Sequence, residues 1–230
     1  MEAIILVGGK GTRLRPAVHD RPKPLADISG RPFLEHLMDY LISQACNHFI
    51  LATGYMSEMF ETTFGDHYRD IRITYSNETK PLGTGGAVIK AQKKLITDFP
   101  FLIVNGDTFF PIDVELLVSQ LRTKKADVSI ALFRAQEAQR YGLTELDDTN
   151  IKSLGEGFAN IGELANGGIF AISKPIPEIH KQNDGAKSFE KDVLSPMLKQ
   201  GSKITGLVFD EEFIDIGTPV DYFRFSQSFK

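Results

Sequence analysis

The sequence predicts an α/β protein with a Rossmann-like, doubly wound and mostly parallel (mixed) sheet flanked by helices. Two observations lead to this fold class. Short apolar runs such as "AIILV" (3–7) and "FLIVNGD" (101–107) are typical of buried parallel strands. Amphipathic helical patterns separate these runs along the chain. Because strand–helix–strand connections are right-handed, the alternation winds helices onto both faces of one sheet.

The predicted elements follow this alternation through the first half of the chain and change character in the second half. Strands are predicted at 3–7, 48–53, 71–76, 101–107 and 127–133, and helices at 33–45, 55–64, 84–96 and 113–124. After about residue 135 the pattern predicts hairpin strands around 141–157, strands at 166–172 and 204–209, and helices at 187–200 and 219–228. No repeat or linker divides the chain, so we expect a single domain over residues 1–230.

Composition and charge exclude several classes of protein. The chain has 230 residues, a formal net charge of −4 and a pI near 5.8, which argues against nucleic-acid binding. The first apolar run is too short for a secretion signal or a membrane span. Cys46 is the single cysteine, so neither an internal disulfide nor a multi-cysteine zinc site is expected. We expect a cytoplasmic protein without membrane or nucleic-acid partners.

A cationic segment stands out within this acidic chain. Residues 8–31 contain six basic and two acidic side chains, a local balance of +4 (Lys10, Arg13, Arg15, Arg21, Lys23 and Arg31 against Asp20 and Asp27). Such a concentration favours a site for a small anion. A solvated basic loop explains the charge equally well.

The loop after the first strand, "ILVGGKGTRLRP" (5–16), resembles neither of the two common phosphate-binding fingerprints. The dinucleotide motif requires a third glycine where this chain has Leu14, and the ATPase loop requires Ser or Thr after the Lys, where Gly11 stands. The residue types still suit phosphate. Glycines let backbone N–H groups approach phosphate oxygens, and Arg13 can make paired, charge-assisted contacts.

Two further segments are candidates for binding an anion or a flat ring. "RPKPL" holds Lys23 between two prolines, which restrict the backbone on either side, although a plain turn has the same composition. "PLGTGGA" (81–87) places glycines at a strand-to-helix junction, where a base or phosphate could lie close to the main chain. An ordinary helix N-cap by Thr84 is the alternative for this second segment.

Two aspartates are candidate metal ligands. Asp107 follows a buried strand in "NGDT" (105–108), at the edge where such sheets bind ligands. Asp215 lies in "FIDIGTP" (213–219). Carboxylates suit Mg²⁺, which takes one or two of them and completes its shell with phosphates and water. Local spacing does not pair the two aspartates, and each alone is also compatible with a turn or cap.

In order along the chain, "GGKGTRLRP", "RPKPL", "PLGTGGA", "NGD", "YG", "NGG" and "DIGTP-DY" resemble the motifs of the sugar-1-phosphate nucleotidyltransferases. The resemblance spans nearly the whole chain. It implies a nucleotide-diphospho-sugar transferase fold, with residues 1–135 as a nucleotide-binding half and residues 136–230 as a sugar-binding half. It also implies an enzyme that joins a nucleoside triphosphate to a sugar 1-phosphate and releases pyrophosphate. Homo-oligomerisation is left open.

The resemblance also implies roles for the residues at the matching positions. The catalytic residues would be Arg13, Lys23 and Asp107, and Mg²⁺ would be held by Asp107 and Asp215. The nucleotide site would comprise Leu6, Gly8, Gly9, Gly11, Thr12, Arg13, Lys23, Leu82, Gly83, Thr84, Gly85, Asn105 and Gly106. The sugar site would comprise Tyr141, Gly142, Glu156, Asn166, Gly167 and Lys191.

One position departs from the family pattern. A Glu-Lys pair commonly precedes the N-G-G segment, and here Glu156 is followed by Gly157. Either another cation binds the sugar phosphate, with Lys152 and Lys191 as candidates, or turnover is impaired. The short chain most resembles the family members that transfer guanylyl groups from GTP to D-glycero-D-manno-heptose 1-phosphate for bacterial surface polysaccharides. Mannose-specific, thymidylyl and uridylyl transfer stay open, as does a catalytically idle nucleotide-sugar sensor.

Overall fold

The structure is a computed structural model that describes residues 1–14, 18–178 and 186–228. Arg15 and Pro16 of the first motif therefore lie outside the described residues, as does His180. Within the described ranges, no helix has the length and apolar character needed to cross a membrane.

Fourteen strands and six α-helices make up the described fold. The strands are β1 Glu2–Leu6, β2 Asp27–Ile28, β3 Arg31–Pro32, β4 His48–Thr53, β5 His67–Tyr68, β6 Ile71–Asn77, β7 Phe101–Asn105, β8 Thr108–Phe109, β9 Val128–Arg134, β10 Gly142–Asp147, β11 Asn150–Phe158, β12 Leu164–Ile172, β13 Ile204–Val208 and β14 Ile214–Asp215. The helices are α1 Phe33–Ser43, α2 Ser57–Phe64, α3 Gly83–Ala91, α4 Val114–Thr123, α5 Ser195–Lys199 and α6 Pro219–Ser228.

Ten of these strands form one mixed sheet in the order β10-β11-β13-β9-β12-β7-β1-β4-β6-β5. Strands β7, β1, β4 and β6 pair in parallel, as do β9 and β13. Strand β12 runs antiparallel between β7 and β9. Parallel pairing places the carboxyl ends of β6, β4, β1 and β7 along one edge of the sheet, where ligands of such folds bind.

Helices cover both faces of the sheet, because alternate residues of each strand face opposite ways. Ala3 and Ile5 of β1 belong to a buried cluster that includes residues of α1, α2, α4 and α6. Ile4, between them, belongs to a second cluster with Val88 of α3 and Met197 of α5. The predicted α/β fold, with a large mixed sheet flanked by helices, is therefore confirmed, although only four of the nine neighbouring strand pairs in this sheet are parallel.

Two predicted helices differ in extent from those in the structure. The segment predicted as a helix over 84–96 forms α3 and then a 3₁₀ turn, Gln92–Lys94. The helix predicted over 187–200 begins as a π-helical turn, Glu190–Leu194, and continues as α5. Pro196 lacks an N–H and cannot complete the α-helical bond to Asp192, and the N–H of Ser195 instead reaches the carbonyl of Glu190.

Candidate active site

A cleft of about 810 Å³ crosses the carboxyl edge of the sheet. Its walls come from the ends of β6, β4, β1 and β7, from the β10–β11 hairpin and from the π-helical turn. Many of the predicted site residues line this cleft: Leu6, Gly8, Gly9, Gly11, Arg13, Lys23, Gly83, Thr84, Asn105, Asp107, Tyr141, Gly142, Asn166, Lys191 and Asp215. Segments far apart in sequence thus meet at one cavity.

The glycine loop after β1 is built around Lys23. The N–H of Val7 donates to the carbonyl of Ala52 at 3.0 Å, which extends the β1–β4 pairing into the loop. Gly11 has φ +56°, and a Cβ there would lie 3.0 Å from Cβ of Lys23. Both the left-handed backbone and the close approach favour glycine at this position. The loop therefore lies directly against the 3₁₀ turn Lys23–Leu25.

A two-stranded ribbon brings Asp107 and Asp215 together. Strand β14 pairs antiparallel with β8, with Asp215 opposite Thr108. The N–H of Ile216 also donates to the carbonyl of Asp107 at 3.2 Å. This tertiary pairing connects the end of β7 to a segment more than a hundred residues later, so the two carboxylates flank the same part of the cleft.

Lys23 lies between these carboxylates. Its Nζ donates to Oδ2 of Asp107 at 2.8 Å and to Oδ1 of Asp215 at 3.2 Å. The Lys23 side chain is only 6% exposed, compared with 41% for Asp107 and 11% for Asp215. A buried ammonium needs such partners, because an unpaired buried charge is strongly unfavourable. Asp107 and Asp215 therefore accommodate a cation between their two carboxylates.

The two carboxylates provide oxygen ligands of the kind that hold a divalent metal ion. Among the residues that the structure describes, no group of three or more His, Cys, Asp and Glu side chains could hold a metal. Two hard carboxylates suit Mg²⁺, which completes its shell with phosphates and water. The ammonium of Lys23 shows that the position between Asp107 and Asp215 is favourable for positive charge.

Arg140 supports Asp215 from the other side. Its guanidinium lies 3.6 Å from Oδ2 of Asp215 and forms an ion pair with Asp221. Burial alone would lower the pKa of Arg140. The hydrogen bond to Asp221 and the nearby charges raise the pKa by more than burial lowers it, so the net shift is upward. Burial raises the pKa of Asp221, while bonds from Arg140 and Thr218 outweigh it and lower the pKa. The pair therefore stays charged and holds Asp215 in place.

The start of α3 is joined to the segment before the π-helical turn. Leu82 and Gly85 exchange backbone hydrogen bonds with Lys187, each 2.8 Å long. Gly83 has φ +72°, and a Cβ there would lie 2.3 Å from the carbonyl oxygen of Lys187. The hydroxyl oxygen of Thr84 accepts from the N–H of Phe189 at 2.8 Å. The N-cap is Leu82, so the interpretation of Thr84 as an ordinary N-cap is wrong.

The far end of the cleft is formed by the β10–β11 hairpin and Lys191. Burial raises the pKa of Tyr141 to about 12, so its phenol remains a donor at neutral pH. Lys191 lines the cleft next to the hairpin, and a Cβ on Gly155 would lie 3.9 Å from its Cε. Lys152 does not line the cleft, and its Nζ lies 3.8 Å from the exposed Asp147. Of the two candidate lysines, only Lys191 reaches the cavity.

Six predicted site residues do not line the cleft: Thr12, Leu82, Gly85, Gly106, Glu156 and Gly167. Gly106 and Gly167 are buried packing positions, where a Cβ would lie 2.5 Å from Val7 and from Phe110 respectively. Glu156 is exposed between two lining glycines of the hairpin. For these positions the geometry favours support of the wall over direct contact with a ligand.

The wall residues that the sequence analysis missed include Glu78, Arg140 and Phe213. Glu78 directly follows β6, so the strand-end reasoning that identified Asp107 applies to it equally. Arg140 immediately precedes the quoted "YG" pair. Phe213 stacks on Phe133 with ring centroids 4.0 Å apart, and its position at the cleft depends on that tertiary contact.

The chain belongs to the nucleotidyl transferase family, whose model matches residues 2–230. Nucleotidyltransferases of this family typically use a divalent metal ion.

Among curated relatives, a D-glycero-alpha-D-manno-heptose 1-phosphate guanylyltransferase from Aneurinibacillus thermoaerophilus is 43% identical over 96% of this chain and 95% of its own length. One of the same name from Campylobacter jejuni is 39% identical over 98% of both chains. Among solved structures, HddC from Yersinia pseudotuberculosis, complexed with GMP-PN, is 32% identical with a TM-score of 0.81 and covers 100% of this chain and 99% of its own.

Proposed function

We propose that this enzyme transfers a guanylyl group from GTP to D-glycero-alpha-D-manno-heptose 1-phosphate, giving GDP-heptose and pyrophosphate for bacterial surface polysaccharides. The observation that carries the chemistry is the convergence of Arg13, Lys23, Asp107 and Asp215 at one cleft. The names of the relatives from A. thermoaerophilus and C. jejuni support the choice of donor and acceptor. The single, buried Cys46 suits the cytoplasm, where we place the enzyme.

The reaction needs positioning and charge more than acid–base chemistry. A phosphate oxygen of the sugar 1-phosphate, already anionic at pH 7, attacks the α-phosphorus of the triphosphate in line. The new bond joins that oxygen to the α-phosphorus, the bond to the bridging oxygen breaks, and pyrophosphate leaves with its electron pair. The barrier lies in bringing two polyanions together and in stabilising charge on the transferring group. No general base or covalent nucleophile is required.

Each element of the cleft then has a role. The glycine loop and the exposed Arg13 bind the triphosphate through backbone N–H groups and a fixed charge. Lys23 stabilises negative charge on the transferring phosphoryl group. Asp107 and Asp215 would hold Mg²⁺, which supplies charge neutralisation and Lewis-acid polarisation of the phosphates when bound. The guanidinium of Arg140, 3.6 Å from Oδ2 of Asp215, helps to hold that carboxylate in place.

We assign the acceptor phosphate to Lys191, since the usual family lysine is replaced by Gly157. Gly157 lines the cleft with φ +91°, so it contributes space and backbone but no charge. Lys191 lies on the same wall, close to Gly155. Tyr141, Gly142 and Asn166 complete the sugar site in this proposal. Residues 1–135 would then bind the nucleotide and residues 136–230 the sugar, within one domain.

A coupled pyrophosphate-release assay tests the proposal. Several triphosphates (GTP, UTP, TTP) are combined with heptose, mannose and glucose 1-phosphates, with and without Mg²⁺. We expect release that requires Mg²⁺ and is fastest with GTP and the heptose 1-phosphate. Release with another pair would reassign donor or acceptor within the family chemistry. Binding of GDP-sugar without release from any pair would support the idle sensor and contradict the proposed transfer.

A further inference from the structure

The start of α3 is tied to the segment that carries Lys191. The N–H of Lys187 donates to the carbonyl of Leu82, and the N–H of Gly85 donates back to the carbonyl of Lys187, both at 2.8 Å. Helix α3 packs on β1, β4 and β6, whereas Lys191 belongs to the π-helical turn, which packs on β11 of the hairpin. This contact therefore joins the two ends of the cleft.

The π-helical turn needs hydrogen-bond acceptors at its beginning, because the first N–H groups of a helical segment have no partner within it. Two of these acceptors come from the segment itself. The hydroxyl oxygen of Ser188 accepts the N–H of Lys191 at 3.2 Å, and Oδ2 of Asp192 accepts the N–H of Ser188 at 2.6 Å. The acceptor for Phe189 comes from elsewhere, because its N–H donates to the hydroxyl oxygen of Thr84 on α3 at 2.8 Å. Thr84 thus caps the turn from 105 residues earlier in the chain.

The turn presents two ionisable side chains to the cleft. Glu190 and Lys191 directly follow the capped Phe189, and both line the cavity. Oε1 of Glu190 accepts from Nδ2 of Asn166 on β12 at 3.4 Å, and its Oε2 accepts from the hydroxyl of Ser188 at 3.0 Å. Phe189 is only 1% exposed, so water is a poor substitute for its acceptor. A shift of Phe189 would therefore move Glu190 and Lys191 relative to Asn166.

The hydroxyl of Thr84 thus acts on the wall that carries Lys191. The family resemblance assigns Thr84 to the nucleotide site, but its oxygen accepts from Phe189. A buried N–H that loses its acceptor is costly, so removal of this hydroxyl would displace the start of the turn. Resting on the proposed function for the role of Lys191, we propose that Thr84 is a positioning residue for the sugar 1-phosphate. It acts through the N–H of Phe189, which sets where the turn presents Lys191.

Three variants isolate the hydroxyl. Thr84→Val keeps the branched shape of the side chain and removes the acceptor, and Thr84→Ser keeps the acceptor. The side chain of Thr84 is exposed, so we expect both variants to fold, which circular dichroism checks. The matched control is Thr63→Val, which changes an exposed threonine of α2 whose hydroxyl donates to the carbonyl of Met59 at 2.7 Å.

Calorimetry in the presence of Mg²⁺ measures the two binding steps separately. The first ligand is a GTP analogue with a methylene group between the α- and β-phosphorus, from which pyrophosphate cannot leave. Heptose 1-phosphate is then titrated into the analogue-saturated protein. Hydrogen exchange over residues 186–194 reports on the turn itself, because local opening exposes its amides.

We expect Thr84→Val to bind heptose 1-phosphate about fivefold more weakly and the GTP analogue within about twofold of wild-type protein. Its amides over residues 186–194 should exchange faster. In the pyrophosphate-release assay its KM for the sugar phosphate should rise by a similar factor, with a smaller change in kcat. Thr84→Ser and Thr63→Val should match wild-type protein in all of these measurements.

Two results would overturn the assignment. Equal weakening of both ligands in Thr84→Val would mean that Thr84 contacts the nucleotide instead. Unchanged binding of heptose 1-phosphate in folded Thr84→Val would mean that the hydroxyl does not position the acceptor wall. Thr84→Ala also lacks the acceptor, so it decides between these outcomes if Thr84→Val does not fold.

The same samples separate this inference from the proposed function. Selective loss of heptose 1-phosphate binding in Thr84→Val, without pyrophosphate release from any substrate pair in wild-type protein, supports the role of Thr84 and contradicts the transferase. Pyrophosphate release by wild-type protein, with the same KM for the sugar phosphate in Thr84→Val, supports the transferase and contradicts the role of Thr84.

Discussion

Replacing Lys23 with Met should destabilise the metal-free protein, because it leaves two carboxylates facing each other. Asp107 and Asp215 both contact Nζ of Lys23, at 2.8 and 3.2 Å. Their contacting oxygens are therefore at most about 6 Å apart, and two charges at this distance repel by about 3 kcal/mol at an effective dielectric constant of about 20. Asp107 is 41% exposed, so solvent screening reduces this value. We expect a net loss of about 2 kcal/mol.

Thermal unfolding with and without Mg²⁺ measures both parts of this expectation. For a domain of this size, about 2 kcal/mol corresponds to a decrease in Tm of about 4–8 °C. Mg²⁺ should then restore much of the loss in Lys23→Met, because a cation that binds only the folded state stabilises it by mass action. Wild-type protein should gain less from Mg²⁺ alone, since Lys23 already neutralises the pair.

Lys10→Met is the matched control, because Lys10 also lines the cleft but is exposed. Its Tm should stay close to that of wild-type protein, with or without Mg²⁺. The reasoning fails if Mg²⁺ raises the Tm of Lys23→Met no more than that of wild-type protein. That result would show that Asp107 and Asp215 do not form a cation site once Lys23 is removed.

Three further changes test other parts of the site. Asp107→Asn should abolish metal-dependent pyrophosphate release and leave the protein folded, because Asp215 still pairs with the buried ammonium of Lys23. Lys191→Ala should raise KM for the sugar phosphate at least about tenfold, equivalent to about 1.4 kcal/mol, with a smaller effect on kcat. Gly83→Ala should lower stability by more than about 1 kcal/mol, measured by denaturant unfolding, because of its φ of +72° and the 2.3 Å approach of its Cβ to Lys187.

Each of these changes has a contradicting result, and two of them have a matched control. Near-normal turnover in Asp107→Asn would exclude Asp107 as a metal ligand. The control variant Lys152→Ala should leave KM for the sugar phosphate unchanged. If Lys152→Ala raises this KM as much as Lys191→Ala does, the acceptor phosphate cannot be assigned to Lys191. Gly9→Ala should keep the stability of the wild type, because no atom lies within 4 Å of its Cβ position. Equal stability of the two alanine variants would contradict the packing argument at Gly83.

The fold was largely predictable because its strands carry their own local signal. Buried runs such as β1 and β7 consist of apolar, mostly branched residues, and the helices between them show one apolar face. The antiparallel placement of β12 was not predictable, because strand order depends on long-range pairing. The π-helical turn depends on a single missing N–H at Pro196, which a periodicity argument does not resolve.

The candidate site was predictable where a residue lies within two positions after the carboxyl end of a strand. Gly8 after β1 and Asp107 after β7 are found in this way. The proximity of these two residues to Asp215 was not predictable, because it depends on the pairing of β8 with β14. The same rule applies to Glu78 after β6, which lacked a recognised motif and was overlooked. The ion pairs of Lys23 with both aspartates follow from tertiary packing alone.

The spread of the cleft along the sheet edge has a consequence for how new substrate pairs can arise. The end of β6 and the β10–β11 hairpin line the cleft from opposite ends of the strand order, with the ends of β4, β1 and β7 between them. Substitutions more than about 7–10 Å apart that share no partner usually have additive effects. Mutations that alter preference for the incoming base and mutations that alter preference for the accepting sugar can therefore accumulate independently. The reacting centre between them need not change when either preference does.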